Sequence, residues 1–259
     1  MAEVKALRSP SGSHSSHVPI DPEFEITRPH GAGRFYNFFI DHKYRQMTSR
    51  LPIFLTGASI LDVCCGSGMI SEMYARAGAR VTGVDLDTDA IERAKVRAKR
   101  FGFSGDFRTA NACDLPFPDR SFDIVSVHDG LHHIPDPHKA IREMSRVAKR
   151  AIVITEPARS FLTEVSIRLG TSLRYEGEDF VYRFTKRELA QYLHEEGFSV
   201  VGPRRYLMYY PHKPGFVFRL LGLPGIFAVA KVGFAVVNAV LGGVGNKIVV
   251  VGGREGTKD

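Results

Sequence analysis

The chain has 259 residues, 44% of them hydrophobic and 24% charged, a length and balance that suit one well-buried α/β domain with embellishments. Three cysteines, Cys64 and Cys65 together and Cys113 alone, form no disulfide framework and no metal-ligand spacing, so a reducing cytoplasm is expected. The net charge of +7 permits an acidic partner, whether nucleic acid, an anionic membrane surface or an acidic substrate, without choosing among them.

Residues 1–25 are rich in Ser, His, Pro and charge, contain no apolar core long enough for a secretory signal, and are expected to be flexible. A single domain then runs over 26–259. Between Arg34 and Leu55, the residues Phe35, Tyr36, Phe38, Phe39, Ile40 and Tyr44 make an aromatic amphipathic helical pattern. The core, 56–157, opens with a stretch from Ser59 to Gly68. Ile60, Leu61 and Val63 read as a buried strand with Asp62 near its end, and Gly66 and Gly68 allow a tight turn and close approach of a ligand. Met69 to Ala77 has helical spacing. Arg80 to Asp85 is a second β-like run, and its carboxylate falls 17 residues after Gly68, where a dinucleotide-type βαβ unit puts the acid that accepts from ribose hydroxyls. Asp85 as a plain helix cap is the structural alternative. The loop lacks Gly-Lys-Ser/Thr, so it is not a phosphate loop for a nucleoside triphosphate, and its spacing is not the Gly-x-Gly-x-x-Gly of pyrophosphate cofactors such as NAD.

Asp62-Val63-Cys64-Cys65-Gly66-Ser67-Gly68 resembles the first motif, Asp-x-Gly-x-Gly-x-Gly, of the class I S-adenosylmethionine-dependent methyltransferases, with Cys64 in place of the first glycine. Within them the chain is similar to the ubiquinone/menaquinone-biosynthesis-like group of small-molecule enzymes. The resemblance implies S-adenosyl-L-methionine as cofactor, S-adenosyl-L-homocysteine as product, and direct methyl transfer to oxygen or carbon of a small acceptor without a metal. It implies a cofactor site made of Asp62, Cys64, Gly66, Gly68, Asp85, Leu86, Asn111, Ala112 and His128. It also implies that the helix over 34–55 is a lid that covers the cofactor and helps to form the acceptor pocket.

After Asp85, the group Asp87-Thr88-Asp89 caps a helix through about Phe101, whose basic run from Arg93 to Arg100 reads as a solvated face. A third strand falls near Asp106–Ala110. The following Asn111-Ala112-Cys113-Asp114-Leu115-Pro116-Phe117 is similar to the family stretch that meets the adenine edge, with Asn111 at the acid's position and Asp114 as second choice. An amide oxygen still accepts from the adenine amino group. The fourth strand, Phe122 to Val127, ends at His128-Asp129-Gly130-Leu131-His132-His133, beyond the carboxyl end of a parallel strand, where such sheets bind ligands. The resemblance sets His128 against the methionine part of the cofactor. His132 and His133 are candidates for a general base, because imidazole titrates near neutrality; packing under the loop is the alternative. The loop lacks the Asn/Asp-Pro-Pro-Tyr/Phe sequence of enzymes that methylate exocyclic base amines.

Asp136-Pro137 starts a helix to about Lys149, and a fifth strand, Ala151 to Thr155, delivers Glu156 to the same rim as a substrate contact or a cap. Over 158–184, Arg168, Arg174, Tyr175, Glu176 and Tyr182 are expected to wall the acceptor pocket. Thr185 and Glu188 form a capping box for a helix to about Glu196. Strands over Val200 to Tyr210 and Asn246 to Val251 should pair antiparallel at the sheet edge. Between them, 214–245 is very apolar but interrupted by Arg219, Lys231, Asn238, glycines and prolines, so two short helices are expected rather than a membrane crossing. Such a cap must cover a core, a hydrophobic acceptor or a bilayer, with Phe216, Phe218, Ile226 and Phe227 facing inward.

The order of strands and helices implies an α/β, doubly wound, Rossmann-like methyltransferase sheet of seven strands, with an N-terminal helical lid and an apolar C-terminal helical insertion. The expected partner is a small-molecule or lipid-like acceptor, with peripheral membrane contact through 214–245 and a cytoplasmic location. An RNA-directed methyltransferase, for which no RNA-binding module is recognisable, and a non-catalytic S-adenosylmethionine-binding protein are the alternatives.

Overall fold

The computed structural model describes residues 21–168, 175–176, 179–180, 182–208 and 214–254. Strands β1 (Ser59–Val63), β2 (Arg80–Asp85), β3 (Asp106–Thr109), β4 (Phe122–His128) and β5 (Ala148–Pro157) run parallel. The last strand, β7 (Lys247–Arg254), pairs antiparallel with β5 on one side and with β6 (Phe198–Tyr206) on the other. Among the described residues this makes one seven-stranded sheet in the order β3-β2-β1-β4-β5-β7-β6. The antiparallel pairing at the edge is as expected.

A parallel sheet needs both faces covered, which is why a run such as Ile152-Val153-Ile154 is apolar throughout instead of alternating. On one face, α5 (Pro137–Val147) and α7 (Lys186–Glu195) bring Ile141, Met144, Leu189 and Leu193 against Leu61, Val125 and Ile152. On the other, α2 (Arg34–Thr48) and α3 (Met69–Arg76) set Phe39, Ile40, Ile70 and Tyr74 against Ile60, Ile124 and Val153. The strand order reverses between β1 and β4, and the loops that leave these two strands open a crevice at the carboxyl ends of the sheet.

Several elements differ from the sequence reading. The segment expected to be flexible includes a helix, α1 (Pro22–Thr27), whose N-cap Asp21 accepts from the Phe24 N–H; residues 1–20 lie outside the described residues. The lid helix stops at Thr48 rather than continuing to 55, because Pro52 follows closely and a residue before proline is driven out of helical geometry. Within 158–184, α6 (Phe161–Arg168) is followed by a two-residue antiparallel pairing of Tyr175–Glu176 with Asp179–Phe180, while Arg174 lies outside the described residues, as does Tyr210 at the expected end of β6. The Thr185/Glu188 capping box is present.

The basic run on α4 (Thr88–Phe101) is not a solvated face throughout. Arg97 is fully buried and forms an ion pair with Glu72 at 2.9 Å. Its remaining N–H groups donate to the carbonyls of Ser67, Glu25 and Arg28. A helical position every three or four residues faces the core, so one arginine of a dense run falls inward even though the run as a whole is basic.

The apolar insertion forms α8 (Phe216–Leu221) and α9 (Ile226–Leu241). Phe218 and Phe227 face inward as expected, on the rings of Phe35 and Phe38. Phe216 and Ile226 do not: they are exposed, because α8 and α9 each touch the domain along one stripe only. Lys231 and Gly233 do not interrupt α9, and the helical run Ile226–Val244 is 19 residues long with a mean hydropathy of 1.9, sufficient in length and composition to cross a bilayer.

Replacing Arg97 by Met takes its N–H groups from the Ser67, Glu25 and Arg28 carbonyls and its charge from Glu72. The expected cost is about 3 kcal/mol, read as a lower urea midpoint at an unchanged m-value.

Candidate active site

The loop after β1 is built from residues held in the left-handed region. Cys64, Gly66 and Gly68 have φ of 56°, 53° and 76°. Glycine takes this conformation without strain, whereas at Cys64 the side chain must be accommodated by its surroundings. The accommodation comes from the loop after β4: a Cβ added to Gly130 would lie 2.4 Å from Cys64 Cβ. Cys64 therefore adopts the conformation expected of the glycine it replaces, because a glycine faces it from across the crevice. Burial pushes the Cys64 and Cys65 thiols well above their usual range, so both act as small packing groups.

Gly68 begins α3 and fits against Ala94, where a Cβ would meet Ala94 Cβ at 3.2 Å; at Gly66, by contrast, an added Cβ would meet nothing within 4 Å. The backbone at Gly66 faces open space, as a close-approaching ligand requires. Asp85, at the end of β2, accepts the Gly66 N–H at 2.8 Å and the Asp87 N–H at 3.0 Å. Burial raises its pKa against the opposing pull of these two N–H groups. The carboxylate thus ties the two βα turns together at the crevice, beside the exposed apolar side chain of Leu86. The helix-cap alternative for Asp85 does not hold, since Asp87, not Asp85, is the N-cap of α4.

Asp62 is buried two residues before the turn and accepts from Ser71 Oγ on α3. It braces the loop from below. Burial pushes its pKa up to about 7, partly offset by the Ser71 hydrogen bond. Asn111 directs its amide oxygen to the Cys113 N–H at 2.9 Å, shaping the turn after β3, and Ala112 is buried beside it. Asp114 pairs with Asn111 through the backbone and stays in the same turn.

The loop after β4 carries two separate polar groups. Glu156, fully buried at the end of β5, accepts the N–H groups of Gly130 and Leu131 and Nδ1 of His132 at 2.7 Å. Burial opposes the imidazolium of His132, but Glu156 outweighs it and the pKa is raised. His133 is exposed, with its ring 4.0 Å from that of His132. The second group is centred on Asp129, at φ 50°, which pairs with buried Lys43 of α2 at 2.9 Å and with Lys247 of β7 at 2.7 Å. Burial opposes the Asp129 carboxylate, yet Lys247 and Lys43 hold it well below its usual range. Lys43 falls to about 8, through burial that Asp129 only partly offsets. Burial and Lys43 together lower His128 to about 3, so this imidazole is neutral, and its Nε2 is buried without a hydrogen-bond partner.

The methyltransferase domain family matches residues 61–153. Over that segment the chain is similar to the methyltransferase domain family. It is 35% identical to the demethylmenaquinone methyltransferase of Listeria welshimeri over 117 residues, which are 44% of this chain and 50% of that protein. It is 37% identical to the ubiquinone biosynthesis O-methyltransferase of Actinobacillus pleuropneumoniae over 100 residues, 37% of this chain and 43% of that one. The chain thus spans about half the length of the curated relatives it matches. Among solved structures, magnesium protoporphyrin IX methyltransferase from Synechocystis PCC 6803 with bound SAH superposes with a TM-score of 0.63 at 16% identity, over 93% of this chain and 96% of that one. The [4+2]-cyclase SpnF superposes with a TM-score of 0.60 at 18% identity, over 90% and 93%. At these identities the fold alone is shared, and a cyclase on the same fold shows that architecture does not choose the reaction.

The matched segment of the methyltransferase domain contains each residue expected at the cofactor and both candidate histidines. Sequence reading missed Lys43, Asp129 and Lys247 as a group, and left Glu156 undecided between contact and cap. A signal for Lys43 was present: it lies on the same helical stripe as Phe39, Ile40 and Met47, so a cation was already assigned to the buried face of α2. Nothing local marks Lys247, which reaches Asp129 only through the placement of the last strand.

The raised Asp62 carboxyl has a consequence for stability. Between the ordinary value near 4 and its folded value near 7, the folded chain keeps a proton that the unfolded chain has released, so this group lowers stability as pH rises through that window. Asp62→Asn, which keeps the acceptor for Ser71, should gain on the wild type by on the order of 1 kcal/mol per pH unit across the window. Urea unfolding at pH 4.5, 6 and 7.5 checks it, and a constant difference would show that Asp62 ionises normally.

Proposed function

We propose that the chain is an S-adenosylmethionine-dependent methyltransferase that acts by direct methyl transfer on the oxygen or carbon of a small hydrophobic acceptor. The single observation that carries this reading is the left-handed turn at Cys64–Gly68, open at Gly66 and tied through the Gly66 N–H to the Asp85 carboxylate, at the point where the strand order reverses. Asp85 would hold the ribose hydroxyls, Asn111 and Ala112 the adenine edge with Leu86 against its ring, and His128 the methionine end. When bound, S-adenosylmethionine supplies an electrophilic methyl on a sulfonium, so the chain's own task is in-line positioning of the acceptor and removal of its proton.

His132 is the proposed base. Glu156 accepts from its Nδ1 side, which assigns the proton to Nδ1 and leaves Nε2 as the basic nitrogen, and the same carboxylate holds the loop backbone in place. Its neighbour His133 is exposed, with its ring beside that of His132, and is given the smaller role. Demethylmenaquinone and ubiquinone-pathway acceptors of the relatives support a hydrophobic acceptor for this chain as well. The basic run on α4 lends no support to an RNA substrate: Arg97 is buried, and Arg93, Lys95 and Arg100 pair with Asp87, Glu92 and Glu23. We assign it to the cytoplasm, where its three free thiols stay reduced.

Calorimetry should register binding of S-adenosylmethionine and S-adenosylhomocysteine, with no competition from NAD or ATP. Asp85→Ala removes a charged acceptor worth about 1.5–3 kcal/mol per hydrogen bond, so affinity should fall by at least about tenfold. An unchanged affinity would remove Asp85 from the site. A labelled-methyl turnover assay over quinol-like and lipid-extract acceptors tests the reaction itself; absence of binding and transfer together would end the reading.

His132→Gln should slow single-turnover transfer by about a hundredfold or more and shift its pH profile, with cofactor affinity kept. His133→Gln should leave both nearly unchanged. Equal single-turnover rates in wild type and His132→Gln would leave His132 as a packing residue.

A further inference from the structure

The outward side of α9 is apolar along its whole length. Val229, Val232, Val236 and Val240 are 73%, 64%, 56% and 74% exposed, and α8 adds Phe216 at 77%. The opposite stripe of α9 is fastened to the domain. Phe227 and Phe234 pack on Phe38, and the Asn238 amide accepts from the Leu207 N–H and donates to the Leu207 carbonyl. A surface helix of a water-soluble domain carries polar residues on the side away from its core. A continuous apolar face in that position marks an interaction surface.

The charges beside the face identify its partner. A groove of about 630 Å³ runs between α2 and α9, lined by Arg34, Arg45 and Lys231 against the single carboxylate of Asp41, with Phe38 and Phe227 among its apolar walls. The Arg34 guanidinium and the Lys231 ammonium lie over the same Phe227 ring, at 5.2 and 5.1 Å. Among the described residues, none of these three cations forms an ion pair. Long cationic side chains at the rim of an apolar helix match the depth profile of a bilayer, with acyl chains under the helix and phosphates at its edge. A second copy packed on the same face would bring two sets of these cations together. A spanning arrangement would have to detach the Phe227, Phe234 and Asn238 contacts, which hold α9 along the domain surface.

We propose that the α8–α9 face docks flat on a bilayer containing anionic phospholipid, with the valine face in the acyl boundary and the groove cations on the headgroup phosphates. Because α2 forms one wall of the groove and also supplies Lys43 to the candidate active site, docking sets the lid helix between membrane and crevice. The docking stands independently of the reaction: it concerns a surface that shares no residue with the cofactor site.

The test is flotation of the full chain with phosphatidylcholine vesicles, with and without roughly one-quarter phosphatidylglycerol. The chain has no tryptophan, so Val236→Trp adds a single reporter whose emission shifts to the blue on entering the acyl region. The expected result is co-flotation with the anionic vesicles, at least about tenfold stronger than with neutral ones and largely released by salt. The pair Arg45→Glu and Lys231→Glu should remove that preference, and Val236→Asp with Val240→Asp should abolish binding while leaving the thermal unfolding curve in place. If the aspartate variant unfolds, the tryptophan shift and the charge-reversed variant decide. No flotation of wild type, equal flotation of the aspartate variant, or a vesicle-resistant dimer that the aspartate variant breaks would each overturn the proposal.

Discussion

The buried guanidinium of Arg97 is the interaction on which the geometry of the crevice depends. It joins four groups: the Ser67 carbonyl of the glycine loop, Glu72 on α3, and the Glu25 and Arg28 carbonyls at the end of α1. Arginine suits this role because its planar fork presents five donors at fixed angles, which lysine does not. A charge so deeply buried is costly unless each N–H is satisfied, and that requirement forces α1 to close over the loop. Glu72 in turn takes Arg76 and His30, so the network continues from the core to the surface beside the lid.

A second buried network fastens the lid itself. Lys43 reaches from α2 to Asp129 on the loop after β4, and Lys247 reaches the same carboxylate from the last strand. Burial, reinforced by Lys43, keeps His128 neutral, and burial that Asp129 only partly offsets holds Lys43 near 8. Glu156 does the corresponding work on the opposite side of the sheet, where its two oxygens satisfy two backbone N–H groups and one imidazole. The crevice is therefore bordered by paired charges whose partners come from distant parts of the chain.

The apolar surface of α8 and α9 stands apart from this logic. The core is complete without their outer faces, since no residue of either helix is buried. Their inner stripe nonetheless packs on the aromatic side of α2, through Phe35, Phe38 and Phe39. α2 is thus held between the sheet below and the apolar helices above.

What the sequence determined by itself was whatever is written in short-range spacing. The strand–turn–helix at Ser59–Arg76, the acid at the end of β2, the capping box at Thr185 and the antiparallel last strands all follow from local pattern, because backbone sterics and strand or helix periodicity act within a few residues. The tertiary structure alone decided which side chains meet across long separations. Arg97 looked like one member of a solvated basic run until α1 closed over it, and Lys43, Asp129 and Lys247, separated by 86 and 118 residues, form one cluster only because β7 enters beside β5. It also decided that Phe216 and Ile226 face outward. Apolar content alone cannot say which face of a helix finds a partner; the direction of the neighbouring chain does.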